Sequence, residues 1–241
     1  MELINNVIAE TLRNEIRDED APIDLIKENL TKLGSIMAQH LIEKYYITEK
    51  TITTPMGNTI TCPVRSSKRI VVISTKDDYQ YFGLGIADAF PNSKRFYMDF
   101  AGKRGIEALS CPIRGMNLED VSDVDAVIVA KSVLATGCTA ITLTKRAIEK
   151  YDPRIVIIAS VYYSEQGACE VQEKCKNAMI YSFGLAEELR EDGMLIPGFG
   201  DLDKRLNLDI APGHSERHKF AIRCHRAKKL RKSAPNSEAR E

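Results

Sequence analysis

Three short runs of apolar residues do most to limit what this chain can fold into. They are Ile70–Ser74, Ala126–Ala130 and Ile155–Val161, and none of them alternates apolar with polar residues. A strand that is apolar at nearly every position is buried on both faces, which happens in parallel sheets that helices cover on both sides. The segments between the runs are long enough for helices. The sequence therefore predicts an α/β fold with a doubly wound, mostly parallel sheet.

Other patterns complete the predicted order of elements. Two helical patterns open the chain, divided by Asp18–Pro22, and the second spans Ile23–Leu41 with one apolar stripe. The stretch Thr51–Val64, broken at Pro55–Asn58, predicts a β-hairpin. A polar loop is expected after Ser74. Further strands are expected at Arg69–Ser74, Ser93–Phe100, Asp125–Ala130, Arg154–Val161 and Ala178–Tyr181, and further helices at Gly83–Ala89, Thr139–Lys150 and Gln166–Lys176.

Composition narrows the class of protein. The chain has 241 residues, 44% hydrophobic and 28% charged residues and a formal net charge of zero, which is typical of a globular protein. Its longest apolar runs fall far below the roughly 20 residues of a membrane helix. The N-terminus lacks the basic and apolar regions of a signal peptide, so we expect a cytoplasmic protein with no membrane partner.

Cysteine and histidine give little indication of a metal site. None of the six cysteines forms a Cys-x-x-Cys pair, and three of the four histidines fall near the C-terminus. This spacing matches no zinc module, so no protein-held metal is predicted. We interpret most of the cysteines as small buried residues.

Charge is balanced only over the chain as a whole. Residues 207–241 contain nine Lys or Arg against four Asp or Glu, whereas residues 1–206 carry a net charge of minus five. We therefore divide the chain into a domain at 1–206 and a basic tail at 207–241. Such a tail predicts an anionic partner such as RNA, and the alternative is a solvated appendage or a helix on an acidic subunit surface.

One loop combines the features of a phosphate site. Ligands of parallel sheets lie at the carboxyl ends of the strands. The loop after Ala130 ends in small residues that open a helix, where backbone N–H groups and the helix dipole favour an anion. It matches neither a Walker loop nor a dinucleotide fingerprint, and the alternative is an ordinary strand-to-helix turn with a Thr cap. The predicted phosphate-binding residues are Lys131, Ala135, Thr136, Gly137, Cys138 and Thr139.

Two motifs about sixty residues apart resemble the uracil phosphoribosyltransferase family. Leu134–Thr139 (LATGCT) looks like the Leu-Ala-Thr-Gly-Gly-Ser loop that binds phosphoribosyl pyrophosphate (PRPP). Ile196–Asp201 (IPGFGD) is similar to the uracil-binding Val-Pro-Gly-Leu-Gly-Asp, and the acidic segment Glu187–Gly193 lies just upstream, as in the family. The resemblance spans about residues 15–206 and implies a type I phosphoribosyltransferase fold with N-terminal helices, a β-hairpin arm and a small hood.

The resemblance also implies a reaction. The family transfers the phosphoribosyl group of PRPP to uracil, giving UMP and pyrophosphate, with Mg²⁺ as cofactor and a homodimer or higher homo-oligomer as the assembly. By resemblance Asp201 is catalytic, through a ribose hydroxyl or a Mg²⁺-bound water, and Phe199 either contacts the base or anchors the loop by packing. The base-binding residues are Ile196, Gly198, Phe199 and Gly200, and the pyrophosphate-side residues are Lys76, Asp77, Gly83, Lys103 and Arg104.

Three departures from the family concern the PRPP side. Lys131-Ser132 stands where the family has Asp-Pro, Gln80–Gly83 where it has Leu-Arg-Ala-Gly, and Phe100–Arg104 where it has Tyr-Arg-Asp-Glu. An ammonium in place of a carboxylate changes the local charge by two units. Either Lys76, Lys103, Arg104 and Lys131 form a different anion clamp, or the ordinary reaction is lost. The alternatives to a uracil phosphoribosyltransferase are a non-catalytic sensor of a UMP-like nucleotide or RNA-binding regulator, and an enzyme acting on another phosphorylated small molecule.

Overall fold

The computed structural model describes residues 1–100, 111–114 and 121–206. The predictions for Lys103, Arg104 and the tail at 207–241 lie outside these residues. Among the described residues, no helix combines the length and the hydropathy that crossing a membrane requires.

Helices and strands follow the predicted order. The helices are α1 (Val7–Arg17), α2 (Ile23–Tyr45), α3 (Lys76–Tyr79), α4 (Phe82–Asp88), α5 (Cys138–Tyr151), α6 (Glu165–Lys174) and α7 (Leu202–Arg205). The strands are β1 (Glu2–Ile4), β2 (Ile47–Thr53), β3 (Thr59–Arg65), β4 (Ile70–Thr75), β5 (Ser93–Met98), β6 (Ile113–Arg114), β7 (Ala126–Ala130), β8 (Val133–Leu134), β9 (Ile155–Ser160), β10 (Tyr162–Tyr163), β11 (Ala178–Phe183), β12 (Glu188–Leu189) and β13 (Leu195–Ile196).

Seven of these strands form one sheet, in the order β1-β11-β9-β7-β4-β5-β6. Every neighbouring pair is parallel except β5 with β6. The predicted α/β class with a mostly parallel sheet is therefore confirmed. Crossover connections put helices on both sides of such a sheet and leave the loops after β4 and β7 side by side.

The reason for the non-alternating apolar runs is visible in the packing. Val72 and Ile128 face a core built with α1, α2 and α4, whereas Val71 and Val127 face a second core built with α5 and α6. Because successive side chains point to opposite faces, a strand covered on both sides needs apolar residues throughout.

Besides adding the short strands β6, β8, β10, β12 and β13, the structure differs from the sequence-based expectation in three places. The segment after Ser74, expected to be a polar loop, forms the helical turn α3. Strand β1 adds an edge strand to the sheet, and its three residues are too few to show a period in the sequence. Of the five cysteines described, Cys111 and Cys175 are buried, Cys62 is half-buried, and Cys138 and Cys169 are exposed. The interpretation of most cysteines as buried is therefore wrong for these five.

Candidate functional site

The loop between β7 and α5 has the backbone that its sequence predicts. Gly137 stands at the N-cap of α5 with a φ of +74°, in the left-handed region that favours glycine. A Cβ added to it would lie 2.7 Å from the carbonyl oxygen of Gly167. No side chain caps the helix, so its first N–H groups are presented to the loop. The loop therefore offers backbone donors and the positive end of a helix dipole to an anion.

The loop is held from below by the start of α6. The Ser164 hydroxyl donates to the carbonyl of Ala135 at 2.5 Å and accepts from the N–H of Gly167 at 2.9 Å. Thr136 and Thr139 are half-buried and Cys138 is exposed. The five predicted phosphate-loop residues at 135–139 thus lie together in one turn, with their outer side accessible.

Three of the residues predicted for the pyrophosphate side are described, and they divide into two groups. Lys76 and Asp77 lie on the α3 turn, directly after β4 and beside the strand that leads into the phosphate loop. The Lys76 ammonium is 3.9 Å from the Asp99 carboxylate. Gly83 lies inside α4, where its Cα faces the Ser74 hydroxyl and the backbone of Asp78. Gly83 thus lets α4 pack closely against the end of β4. Lys76 is exposed and Asp77 is half-buried on the α3 turn.

Lys131 is paired with an acidic residue that sequence reasoning did not select. Its ammonium lies 2.6 Å from the Asp78 carboxylate, and the side chains are 15% and 1% exposed. Asp78 belongs to the α3 turn, so the contact joins the loops after β4 and β7. The sequence signals are Lys131 at the position of the expected acid after β7 and Asp78 three residues before Tyr81, which stands at the position of the expected Arg in the β4 loop.

The predicted base-binding segment is a tight turn after β13. Its Ile196–Pro197 peptide bond is cis, and Gly198 and Gly200 have φ values of +60° and +80°. The backbone N–H of Gly198 donates to the Glu187 carboxylate at 3.0 Å. A Cβ added to Gly198 would collide with the carbonyl oxygen of Leu195, so the turn itself requires glycine there.

Glu187 is a second residue that sequence reasoning missed as an individual. Its side chain is 3% exposed and pairs with Arg17, and the Arg13 guanidinium lies 3.7 Å away. Arg13 is itself buried. A buried carboxylate needs such partners, because an unpaired charge is costly inside a protein. The only sequence signal was the position of Glu187 at the head of an acidic segment.

Phe199 packs inside the protein. It is 7% exposed, and its ring lies 4.5 Å from the ring of Tyr162 at an interplanar angle of 28°. The Tyr162 hydroxyl donates to the carbonyl of Arg13 at 2.8 Å, and burial raises the pKa of this phenol above its usual value. Of the two roles considered for Phe199, the structure supports the packing anchor.

The C-terminal side of the segment is tied to α1. Arg205 donates to the carbonyls of Phe199, at 2.9 Å, and of Ile16 and Asp18. Asp201 caps α7 by accepting from the N–H of Lys204 at 3.4 Å. Arg205 thus ties the base-binding segment and α7 to the C-terminal end of α1.

The phosphate loop and the base-binding segment are connected beyond the carboxyl ends of β7, β9 and β11. Strand β8, inside the phosphate loop, pairs with β10 at Tyr162 and Tyr163. The carbonyl of Tyr163 accepts from the N–H of Glu187 at 2.8 Å, and Glu187 in turn holds Gly198. The β8–β10 pair and Glu187 thus connect the two motifs through hydrogen bonds.

Comparison with known proteins agrees with the resemblance. A sequence model of the family described as uracil phosphoribosyltransferase matches residues 3–207. The uracil phosphoribosyltransferase of Natronomonas pharaonis is 25% identical over 209 residues, covering 84% of this chain and 94% of that protein. The uracil phosphoribosyltransferase of Haloarcula marismortui is 26% identical over 210 residues, covering 84% and 93%.

A solved structure supports the fold. The AQ2163 protein from Aquifex aeolicus matches with a TM-score of 0.68 and 21% identity, covering 88% of this chain and 99% of that one. At this identity the likeness concerns the fold alone. With the family match, it confirms the predicted fold class.

Proposed function

Since the chain belongs to the uracil phosphoribosyltransferase family, we propose that it joins uracil to the phosphoribosyl group of PRPP and releases pyrophosphate, with UMP as product. The observation that carries this proposal is the connection of the phosphate loop at 135–139 to the base-binding segment at 196–201 through Tyr163 and Glu187.

The chemistry needs two groups to be held at a fixed distance. Nitrogen N1 of uracil forms a bond to C1 of the ribose, the bond from C1 to pyrophosphate breaks, and uracil loses the proton of N1. Holding the reactants in this geometry removes much of the entropic barrier. In the proposed complex the N–H groups at the start of α5 bind the 5'-phosphate, and the main chain around Gly198 and Gly200 lies along the base.

We propose that Mg²⁺ is bound mainly by the substrate. The described residues contain no group of three His, Cys, Asp or Glu side chains that could hold a metal ion. Mg²⁺ commonly keeps several waters and binds substrate phosphates with one or two carboxylates, a requirement that Asp201 fits. Mg²⁺ on the pyrophosphate would neutralise its charge as it leaves. Asp201 itself would orient a ribose hydroxyl or a metal-bound water.

The test is direct conversion of labelled uracil. Purified full-length protein with saturating PRPP and Mg²⁺ is expected to form labelled UMP, and omission of PRPP is the control. Uracil that stays unconverted while calorimetry detects UMP binding would contradict catalysis and support a non-catalytic nucleotide sensor. Conversion of another base in place of uracil would keep the reaction and correct the substrate.

A homo-oligomer is proposed from the exposed hairpin. Strands β2 and β3 pair over seven residues each, and apolar side chains at Ile47, Ile52 and Ile60 are exposed on them. A two-stranded hairpin alone is at best marginally stable in water, so a second subunit that covers it is expected. Light scattering should give at least a dimer. The variant Ile52→Glu with Ile60→Glu, two residues that face each other across the hairpin, should be monomeric.

RNA binding through the basic tail is a separate proposal. Its support is the surplus of five positive charges in residues 207–241. Electrostatic binding of this kind weakens steeply with salt. Deletion of residues 208–241 should abolish binding of a single-stranded RNA at low salt. Unchanged RNA affinity in the truncated protein would remove the proposed role of the tail.

A further inference from the structure

The ion pair between Asp78 and Lys131 connects the two loops expected to bind anions. Asp78 lies on the α3 turn after β4, and Lys131 is the first residue after β7. These two strands are neighbours in the sheet, with Ser74 opposite Ala130. The pair therefore lies between the pyrophosphate side and the phosphate loop.

The Asp78 carboxylate is engaged at both oxygens. Oδ1 accepts from the backbone N–H of Ser132 at 3.2 Å. Oδ2 accepts from the Thr75 hydroxyl at 3.2 Å and from the Lys131 ammonium at 2.6 Å. The side chain is 1% exposed, so it has no surface to offer to a ligand. Its role is confined to the residues that it holds.

The α3 turn is fixed from its other side as well. The Arg95 guanidinium lies 4.1 Å from the centre of the Tyr79 ring and donates to the carbonyl of Tyr79 at 2.7 Å. The Tyr79 ring also lies 4.8 Å from that of Tyr97. Arg95 and Tyr97 are on β5, so the position of Asp78 is set by the sheet independently of Lys131. Asp78 is therefore the fixed partner of the pair, and its carboxylate holds the Lys131 ammonium and the backbone N–H of Ser132 in place.

We infer that Asp78 is a positioning residue for PRPP, which sets the start of the phosphate loop through Lys131 and the N–H of Ser132. This inference rests on the proposed function. The Asp78 carboxylate compensates the positive charge of Lys131. Lys131 therefore contributes to PRPP binding by fixing the shape of the loop. The pair also gives a physical reason for one departure from the family on the PRPP side, since the buried Asp78 carboxylate compensates the charge of Lys131 where the resemblance implies an acid.

The inference is tested with Asp78→Asn, Lys131→Met and the double variant. Lys32→Met is the control, since Lys32 forms an exposed ion pair of the same 2.6 Å length with Glu28 on α2. Binding of ribose 5-phosphate and PRPP is measured by calorimetry, and KM values for PRPP and uracil by turnover. Melting temperatures show whether each variant folds. If Asp78→Asn does not fold, the effect of Asp78 is measured by comparing the double variant with Lys131→Met.

The expected result is a selective loss on the phosphate side. Asp78→Asn should raise the Kd for PRPP by about tenfold or more, because a loop displaced by a fraction of an ångström binds its ligand poorly. The KM for uracil should rise less than the Kd for PRPP, since the hydrogen bonds given for Asp78 go to Thr75, Lys131 and Ser132 in the loops after β4 and β7. The double variant should bind PRPP no better than Asp78→Asn, because removal of the Lys131 ammonium does not restore the ion pair that positions the loop and takes one positive charge away from an anionic ligand.

Three results would overturn the inference. PRPP affinity could be unchanged in Asp78→Asn and in the double variant, which would make the pair purely structural. Lys131→Met could abolish PRPP binding while Asp78→Asn leaves it intact, which would make Lys131 a direct ligand. Thirdly, wild-type protein could fail to bind ribose 5-phosphate, which would also overturn the proposed function. Wild-type binding of ribose 5-phosphate without conversion of uracil would overturn the proposed function only, and the variants would still decide the role of Asp78.

Discussion

The Glu187 carboxylate accepts a hydrogen bond from the backbone N–H of Gly198 at 3.0 Å, and by this contact the acidic segment holds the turn proposed to bind the base. Arg17 and Arg13 surround the same carboxylate. Since both arginines lie on α1, the N-terminal helix takes part in shaping the base-binding segment.

Replacement of Glu187 by Ala is expected to impair uracil binding and stability together. It leaves Arg17 without its closest carboxylate and Gly198 without an acceptor. The loss of one partner of a fully buried pair costs about 3–5 kcal/mol, and the cost here should be smaller because Arg17 is 22% exposed and Arg13 keeps its ion pair with Glu10. The KM for uracil should rise more than the KM for PRPP. The control is Glu188→Ala, because Glu188 is the exposed neighbour on β12. Equal KM values for uracil in wild type and Glu187→Ala would contradict a role in holding the base-binding turn.

The substitution Gly137→Ala is expected to abolish binding at the phosphate loop. The left-handed backbone costs alanine about 1 kcal/mol. The added Cβ would also approach the carbonyl of Gly167 to 2.7 Å, so the loop must move. Gly57→Ala separates these effects, because Gly57 has a φ of +80° with nothing within 4 Å of its added Cβ. Calorimetry with ribose 5-phosphate should show binding by Gly57→Ala and none by Gly137→Ala.

Cys138 is expected to report occupancy of the phosphate loop. Its thiol is exposed at the start of α5, where a bound phosphate would cover it. Alkylation of Cys138 by iodoacetamide, followed by peptide mass mapping, should slow when UMP is added. The exposed Cys169 on α6 serves as the internal control and should react at the same rate throughout. Protection of both thiols, or of neither, would place the phosphate elsewhere.

Alkaline pH is expected to destabilise the protein partly through Tyr46. Burial and the nearby charge of Asp125 raise the pKa of this phenol from 10.0 to about 12. The unfolded chain therefore loses the proton first, and the stability contributed by neutral Tyr46 is present below pH 10 and is lost as the pH rises to about 12. Urea unfolding of Tyr46→Phe against wild type should show a shallower fall over this range, with a difference of up to about 3 kcal/mol. At pH 7 the two should be nearly equal, because the Tyr46 hydroxyl has no hydrogen-bond partner among the described residues. Parallel pH profiles of the two proteins would contradict this assignment.

Much of the fold could be predicted from local patterns. Helix α2 was expected at Ile23–Leu41 and extends to Tyr45, and the strand expected at Asp125–Ala130 is found at Ala126–Ala130. Each of these elements has a strong hydrophobic period or a continuous apolar run. Both are local signals that can be recognised from adjacent residues of the sequence. Strand β1 and the α3 turn are too short for either signal, and they form because the sheet and its neighbours provide hydrogen bonds and packing for them.

The site divides in the same way. By itself, the sequence determined the two glycine-containing turns at 135–139 and 196–201, since a left-handed backbone and a helix start depend on a few adjacent residues. Only the tertiary structure decided that Asp78 faces Lys131 and that Glu187 holds Gly198. Such contacts join residues that the chain separates widely, and a buried charge selects its partner by distance in the folded molecule rather than by position along the sequence.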